Sequence, residues 1–496
     1  HDDLSVRRSL AVALDALRTA ERESDRDAAA ALAAIGALDL PAYGVPLVAR
    51  LLGVEEWRAG AALDRLVDVA LLDETAYGRY APHDLVRDFA REAAHQDGAG
   101  SADVVESALR WYAESARQTL LAIMPEGLDR DDRLGDLPDG LLPQQHTTDG
   151  SPGREAGTSD PAHPCPVPPV PSMSTDEAFA WGDTELANVI ALAERHGRES
   201  ALLPVLVRCF FSYLKRRGRL AEAGLLNRLA VTAARRWKDT AAEAQALTDL
   251  AGLNYVSGRS STALDLIDEA LDLWQQLGRM SCVHRGVINR GLLLEALGRY
   301  DESAEALRHS LDLAKAMDDP LSEAFALSTL GNVYEHTDAR AAISYYERSL
   351  AIGETLGHAG LRQEVHCDMG NAHLALDEPD VALRHFEESL RIHGVAEDWH
   401  NESKVRLGIV RALRETSRTQ DAERECMGLL ERAEQRADAH MAGLARHQRG
   451  LLLYAEGRAE DAYAQWRSAL ASLDGTDSSE VVDELKSLLV GSPETG

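Results

Sequence analysis

The 496-residue sequence predicts an all-α fold in which β structure is confined to one small hairpin. Three observations support this fold class. Hydrophobic residues make up 45% of the chain and are mostly Ala and Leu, aromatic residues make up only 5%, and glycines recur at a regular interval. Ala and Leu favour helices, whereas strands prefer β-branched and aromatic residues. Composition and spacing divide the chain into three regions, 1–123, 124–175 and 176–490.

The first region, 1–123, predicts a set of helices and a two-stranded hairpin. Apolar residues recur at helical spacing in most of it. The run Tyr77–Tyr80 places Gly78 at a tight turn between two short extended segments. Helices combined with a two-stranded wing predict a winged-helix module followed by one more helix. The predicted helices span 4–19, 25–35, 46–52, 55–71, 83–95 and 102–117.

The second region, 124–175, is rich in proline. Nine prolines fall between Pro138 and Pro171, among Gly, Asp and Thr residues. Proline fixes φ and removes a backbone donor, so neither a helix nor a central strand is expected here. The sequence predicts a flexible linker, and the alternative is a polyproline II ligand for a partner.

The third region, 176–490, predicts seven helix pairs. Gly218, Gly258 and Gly298 are evenly spaced, and Gly457 repeats the pattern. Each glycine is followed after five and twelve residues by a small residue, with a larger residue between. A single helix pair cannot bury its apolar face, so neighbouring pairs must stack, and small residues let their backbones approach. We expect Gly408 at the crossing of the sixth pair and a final amphipathic helix at Val481–Leu489.

This array resembles tetratricopeptide repeats. The segments Leu330–Tyr334 and Gly457–Trp466 are similar to the repeat pattern of Leu-Gly-x-x-Tyr, then Gly, then spaced small and large residues. The resemblance implies a right-handed superhelix whose first helices line a concave face. The interval from Gly218 to Gly258 exceeds the usual repeat length of about 34 residues, so each helix should be nearly a turn longer.

Two further segments resemble one class of bacterial regulator. Gly78–Arg91 is similar to the end of a winged-helix domain that follows an NB-ARC nucleotide-binding module, and Phe179–Val189 to the opening of the repeat domain in the same proteins. The order of regions resembles the C-terminal half of a large Streptomyces antibiotic regulatory protein, a signal-transduction ATPase that controls secondary-metabolism genes. The resemblance implies upstream DNA-binding, activation and NB-ARC domains, ATP or ADP in the intact protein, and a cytoplasmic location.

Charge and motifs exclude several other functions for this chain. The net charge is -30, and residues 1–95 carry 17 acidic side chains against 11 arginines, which would repel phosphates. No Gly-Lys dipeptide occurs, so no P-loop can bind ATP, and we expect no cofactor in this chain. Five scattered cysteines without a CxxC pair argue against zinc sites and disulfides and favour a reducing cytosol. No apolar run is long enough to span a membrane.

His83 and Asp84 match a histidine–aspartate pair of the same regulators. The resemblance implies that His83 contacts the β-phosphate of ADP in the intact protein and holds the closed state of the nucleotide switch. Imidazole can donate to phosphate, and its charge is adjustable. The alternative is that the pair only begins a helix.

The concave face of the array is the predicted binding surface. Asn332 and Asn371 occupy equivalent positions in two repeats, and amide side chains can bind the backbone of an extended peptide. The alternative is that both face water. The residues expected to point inward are Arg208, Ser212, Lys215, Arg216, Thr248, Tyr255, Arg285, Glu295, Asn332, Glu335, His336, Asn371, His447 and Tyr454.

Nothing in the sequence predicts catalysis. His366, Cys367 and Asp368 lack a second cysteine at ligand spacing, so we expect a helical cysteine and no metal site. No nucleophile motif or carboxylate pair stands out. We therefore do not expect an enzyme.

The function predicted from the sequence is binding and regulation. The array would bind a peptide, protein or small-molecule signal, and would control the chain's own upstream nucleotide-binding module, without touching nucleic acid or membrane. Such arrays can also self-associate into homo-oligomers. The alternatives are an assembly scaffold that senses no ligand and the C-terminal part of an NB-ARC-type defence protein.

Overall fold

The computed structural model describes residues 2–97, 101–135, 170–393 and 399–490. The chain divides into two compact units. Unit 1 comprises His1–Tyr213 with Thr232–Lys238, and unit 2 comprises Leu214–Val231 with Asp239–Gly496. Helices form almost all of the regular structure in the described residues, which confirms the predicted all-α class.

Unit 1 begins with helices and a small antiparallel sheet of strand order β1-β3-β2. Strands β2 and β3 form the hairpin that the sequence predicts at Gly78, whose φ of +67° favours a residue without a Cβ. Pro46 lies in the first turn of α3, where its missing donor costs little. The elements are α1 (Asp2–Thr19), α2 (Glu23–Leu38), β1 (Tyr43–Gly44), α3 (Val45–Leu52), α4 (Glu56–Asp68), β2 (Asp73–Ala76), β3 (Arg79–Ala81), α5 (Asp84–Asp97) and α6 (Ser101–Ile123).

A helix lies inside the predicted linker, contrary to the expectation that none would form between 124 and 175. Helix α7 spans Leu128–Leu134. Its Arg133 is only 7% exposed, and Arg208 donates a hydrogen bond to the carbonyl of Gly135 directly after it, at 2.8 Å. Tertiary contacts therefore stabilise this turn of helix, which composition alone could not predict.

The rest of the predicted linker is mostly outside the described residues. Residues 136–169 contain eight of the nine prolines from Pro138 to Pro171, together with His146 and His163. The described chain resumes at 170, and the next helix begins at Thr175, one residue before the predicted start of the repeat region.

Helices α9 to α22 follow in the order of the seven predicted pairs, and the six pairs from α11/α12 to α21/α22 pack within the described part of unit 2. The elements are α8 (Thr175–His196), a 3-10 turn (Gly197–Glu199), α9 (Leu202–Arg216), α10 (Leu220–Trp237), α11 (Thr240–Val256), α12 (Ser260–Gln276), α13 (Met280–Ala296), α14 (Tyr300–Ala316), α15 (Pro320–Glu335), α16 (Ala339–Thr355), α17 (Ala359–Ala375), α18 (Pro379–His393), α19 (Trp399–Glu415), α20 (Thr419–Gln435), α21 (Ala439–Ala455), α22 (Ala459–Ser472) and α23 (Ser479–Leu489).

The glycine between the helices of a pair adopts the left-handed conformation. Gly258 and Gly298 both have a φ of +70°. In the fifth and sixth pairs, which lack this glycine, Asp377 and Ser417 adopt φ values of +60° and +58°. The left-handed turn is therefore kept in these two pairs although the glycine is absent, since short polar residues tolerate this conformation better than bulky ones. In the fourth pair, no residue between α15 and α16 has a positive φ.

The helices of a pair cross where a glycine meets a large side chain. A Cβ on Gly331 would lie 2.3 Å from Cε1 of Tyr346, and one on Gly370 would lie 2.5 Å from Cε1 of Phe386. Gly408 does not serve its own pair in this way. It packs against Phe386 of the preceding pair, so the expected crossing role of Gly408 is wrong. The reason is a shift of register, because Gly408 lies farther along the chain from Cys426 than Gly370 lies from Phe386.

Serine at the predicted small positions adds a hydrogen bond to each close approach. Ser349 Oγ donates to the carbonyl of Ala324, and Ser389 Oγ donates to the carbonyl of Gln363, both at 2.7 Å. Both serines are fully buried. The small residue therefore joins the second helix of a pair to the first as well as making room for it.

Candidate functional site

Within unit 2, first helices of distant pairs bring ionisable side chains together. Helices α11 and α19 belong to pairs that are four apart, yet the rings of Tyr255 and His400 are 6.5 Å apart. The first helices must therefore curve around a common interior, which we call the concave face. Its ionisable centre, called the interior cluster below, consists of Tyr255, Glu335, Glu364, Asp368 and Lys404.

Lys404 and Asp368 dominate the electrostatics of the interior cluster. Burial raises the pKa of Asp368 to about 8, an effect that Glu364 reinforces and that the Lys404 ammonium opposes. Burial disfavours the charge of Lys404 as well, but Asp368 and Tyr255 outweigh it and raise the pKa of the lysine. Lys404 therefore stays cationic beside Asp368, whose carboxylate is costly to ionise.

Lys404 also has spare capacity for hydrogen bonding. Within the described residues no hydrogen bond joins its ammonium to another group, and its side chain is half-buried. Asp368 accepts one long hydrogen bond, from Ser328 Oγ at 3.4 Å. An ammonium provides three donors, so Lys404 can bind an acceptor on a ligand that reaches the concave face.

Tyr346 connects Asn332 and Glu335 at the edge of the interior cluster. Its hydroxyl lies 2.7 Å from Asn332 Oδ1 and 3.3 Å from Glu335 Oε2. Burial raises the pKa of Glu335, and the neighbouring His336 opposes that rise. Both Asn332 and Glu335 were predicted to point inward, and Glu335 belongs to the cluster while Asn332 lies beside it.

Glu295 and His336, two more predicted inward residues, form a pair. His336 Nε2 lies 2.6 Å from Glu295 Oε1, and the imidazole stacks on Tyr300 at 4.5 Å. The hydrogen bond to Glu295 raises the pKa of His336. This arrangement favours the protonated imidazole.

The two equivalent asparagines differ in their surroundings. Asn332 accepts a hydrogen bond from Tyr346, whereas the residue equivalent to Tyr346 in the next pair is Phe386, which has no hydroxyl. The Asn371 amide makes no hydrogen bond within the described residues and is half-buried. Of the two, Asn371 is therefore the one whose amide is left for a ligand.

Several predicted groove residues have other surroundings. Arg208 is buried and bound to Gly135, so it does not present a free guanidinium. Thr248 accepts a hydrogen bond from the indole of Trp274 on the second helix of its own pair, at 3.3 Å, so its hydroxyl is already engaged.

The remaining predicted residues vary in exposure. His447 is 4% exposed with Nε2 3.3 Å from Glu484, and Tyr454 is 53% exposed beside Tyr463. Ser212, Arg216 and Arg285 are half-buried and Lys215 is exposed.

His83 and Asp84 lie at the start of α5 in unit 1. His83 Nε2 is 2.8 Å from Asp73 Oδ2, and both side chains are more than half exposed. His83 also provides the carbonyl that accepts the amide of Arg87. The imidazole is thus on the surface and paired with the hairpin.

Sequence reasoning missed Lys404 and Asp368 as members of the site. Only five of the 52 basic residues (Lys and Arg) are lysines. A lysine inside the repeat array of such an arginine-rich chain could have indicated a site residue. Asp368 was considered only as part of the His366–Cys367 run. Its helix places it at the interior, while Cys367 belongs to a hydrophobic cluster with Phe386.

The described residues contain no group of three or more His, Cys, Asp or Glu side chains placed to hold a metal ion. Among the same residues, no helix is both long enough and apolar enough to cross a membrane.

Comparison with known proteins identifies the repeats and a class of relatives. The family model for the tetratricopeptide repeat matches residues 280–355. The chain is 28% identical over 331 residues to regulatory protein AfsR of Streptomyces griseus, and 28% identical over 350 residues to regulatory protein AfsR of Streptomyces coelicolor. These alignments cover 64% and 66% of this chain but only 30% and 32% of the relatives, so the chain spans about a third of their length.

Two solved structures that align with this chain are distant from it in sequence. A Rap protein complexed with competence and sporulation factor aligns with a TM-score of 0.46 at 14% identity, covering 64% of this chain and 89% of that one. A signal transduction ATPase with numerous domains from Pyrococcus horikoshii, described as having a tetratricopeptide repeat sensor, aligns with a TM-score of 0.37 at 14% identity. That alignment covers 96% of this chain and 66% of that one.

Proposed function

We propose that this chain is the sensing part of a bacterial transcriptional regulator. Its concave face binds a peptide, protein or small-molecule signal, and binding controls an upstream nucleotide-binding switch. The similarity to two AfsR regulatory proteins supports the regulatory class. The binding role rests on the interior cluster. The Lys404 ammonium in this cluster has unused hydrogen-bond donors, and the cluster lies in an array of tetratricopeptide repeats, a type of repeat that mediates binding.

The same proposal gives unit 1 a mechanical role. The module with the β2–β3 hairpin would pack on the nucleotide-binding domain of the intact protein, with His83 contacting ADP there. The coupling between signal and switch can be no larger than the difference in the signal's affinity for the two states. The chain itself would perform no catalysis and would work in the cytoplasm.

The binding role can be tested with a displayed library of random peptides. Peptides selected on the purified chain are titrated by calorimetry into wild type, Lys404→Met and Lys315→Met. Lys315 is exposed on α14, a second helix, and is the matched control. Loss of one charge-assisted hydrogen bond should weaken binding to the Lys404 variant about tenfold or more.

Lys315→Met should bind like wild type. Equal affinities for wild type and both variants, or failure of the library to yield any binding peptide, would contradict a peptide-binding concave face centred on Lys404. Asn371→Ala is the second variant to test for loss of peptide binding. It is preferred to Asn332→Ala because Asn332 also accepts a hydrogen bond from Tyr346.

A further inference from the structure

The turns of early repeats contact late repeats within unit 2. Gly258 and Ser261, at the start of α12, meet Asp477, which is far along the chain from both and precedes α23. His440, at the start of α21, lies beside Gly258. We call this contact the seam and define it by Gly258, Ser261, His440, Asp477 and Ser478.

Asp477 caps a helix to which it is not adjacent in sequence. Helix α12 follows Arg259, which provides no side-chain cap. Instead, Asp477 Oδ2 accepts from the amide of Ser261 at 2.8 Å and from its hydroxyl at 2.9 Å, while the Asp477 amide donates to the carbonyl of Gly258 at 2.6 Å. A carboxylate at a helix N-terminus satisfies an orphan amide and is favoured by the helix dipole. The seam is therefore a specific contact.

Gly258 serves the seam as well as its own turn. A Cβ at this position would lie 2.6 Å from Cδ2 of His440, whose Nε2 is 3.0 Å from Ser478 Oγ. Gly298, one repeat later, has the same φ of +70° but nothing within 4 Å of its Cβ position. The two glycines thus share one backbone requirement and differ only in the seam.

The seam differs in kind from the contacts between neighbouring pairs. Hydrophobic clusters join helices that follow one another, such as the cluster from α15 to α17 around Tyr346. The seam contacts described above are instead mostly hydrogen bonds at partly exposed positions, although a second contact between early and late repeats packs Gly218 against the buried Trp399. In a solenoid each interface contributes its own stability, so a contact made of exposed hydrogen bonds can open while the hydrophobic contacts between neighbouring pairs remain closed.

We infer that the seam is a gate on the concave face. Closed, it joins the second pair to the last one and restricts access to the interior cluster; opening it admits the signal. This inference rests on the proposed binding role of the concave face. The site and the gate are nevertheless separable, because seam opening can be measured with no signal present.

The test uses Lys404 as its own reporter. Purified wild type, Gly258→Ala and Gly298→Ala are treated with an amine-acetylating ester for long enough to label Lys404, which reacts slowly because its raised pKa keeps the ammonium protonated. Mass spectrometry gives the rate at Lys404 in each variant relative to the exposed Lys315. Hydrogen exchange of the Ser261 amide, whose acceptor is Asp477, reports on the seam itself. Circular dichroism checks that each variant is folded.

We expect Gly258→Ala to accelerate both Lys404 acetylation and Ser261 exchange about tenfold, as for loss of a hydrogen bond to a charged group. Gly298→Ala should change neither. Asp477→Ala provides a second route to the same opening should Gly258→Ala fail to fold. Unchanged Lys404 acetylation in a variant whose Ser261 amide exchanges faster would overturn the gate, as would equal effects of the two glycine variants. Neither outcome depends on the peptide experiment.

Discussion

Gly331→Ala is the sharpest test of how the helix pairs are packed. The added Cβ would lie 2.3 Å from Cε1 of Tyr346, which is fully buried and held by hydrogen bonds to Asn332 and Glu335. Tyr346 therefore cannot move aside without losing those bonds. Overpacking of this kind costs about 1–3 kcal/mol. Alanine gains about 1 kcal/mol over glycine in a helix, which offsets only part of it.

Gly252→Ala is the matched control for this prediction. Gly252 also lies inside a first helix, α11, but it is exposed and has nothing within 4 Å of its Cβ position. Only the difference in helix propensity between glycine and alanine acts at this position. The free energy of unfolding of the variant should therefore rise by about 0.5–1 kcal/mol.

The assay is urea unfolding followed by far-UV circular dichroism, with the midpoints compared at equal slope. Gly331→Ala should shift the midpoint below wild type and Gly252→Ala above it. A Gly331→Ala variant as stable as Gly252→Ala would refute the crossing geometry.

Two further variants test other contacts by the same assay. Ser349→Ala loses the hydrogen bond to the Ala324 carbonyl and should cost about 1 kcal/mol, whereas the exposed control Ser487→Ala should change stability by less than about 0.5 kcal/mol. Burial, then His366, lowers the pKa of His385 to about 4. The pKa of His385 is lower in the folded than in the unfolded state, so the stability that this group contributes above pH 6.5 is lost as the pH falls from 6.5 to 4. His385→Gln should reduce the loss of unfolding free energy between pH 7 and pH 5 by about 1 kcal/mol, measured by urea titration at both pH values. An equal loss in wild type and variant would contradict this prediction.

Much of the array could be predicted because its signals are local and repeated. Gly258 and Gly298 mark turns through their own backbone conformation, and the small and large positions follow at fixed offsets. Apolar spacing likewise located the helices of unit 1. These features depend on residues close in sequence, so a single chain carries enough information to find them.

What could not be predicted depends on contacts between distant residues. Helix α7 is stabilised by its own Arg133, which donates to the carbonyl of Arg208, and by Arg208, which donates to the carbonyl of Gly135. Gly408 takes its role from Phe386 of another pair. Lys404 becomes a site residue only when curvature brings α19 to face α11. None of these contacts produces a periodic pattern in the sequence.

If the first helices of the pairs form the binding surface, a bound peptide should protect them. Hydrogen exchange is measured across the chain with and without a peptide selected from the library. Exchange should slow in α11, α15, α17 and α19 and change little in the second helices α14 and α16. Protection centred on α14 and α16 instead would contradict it.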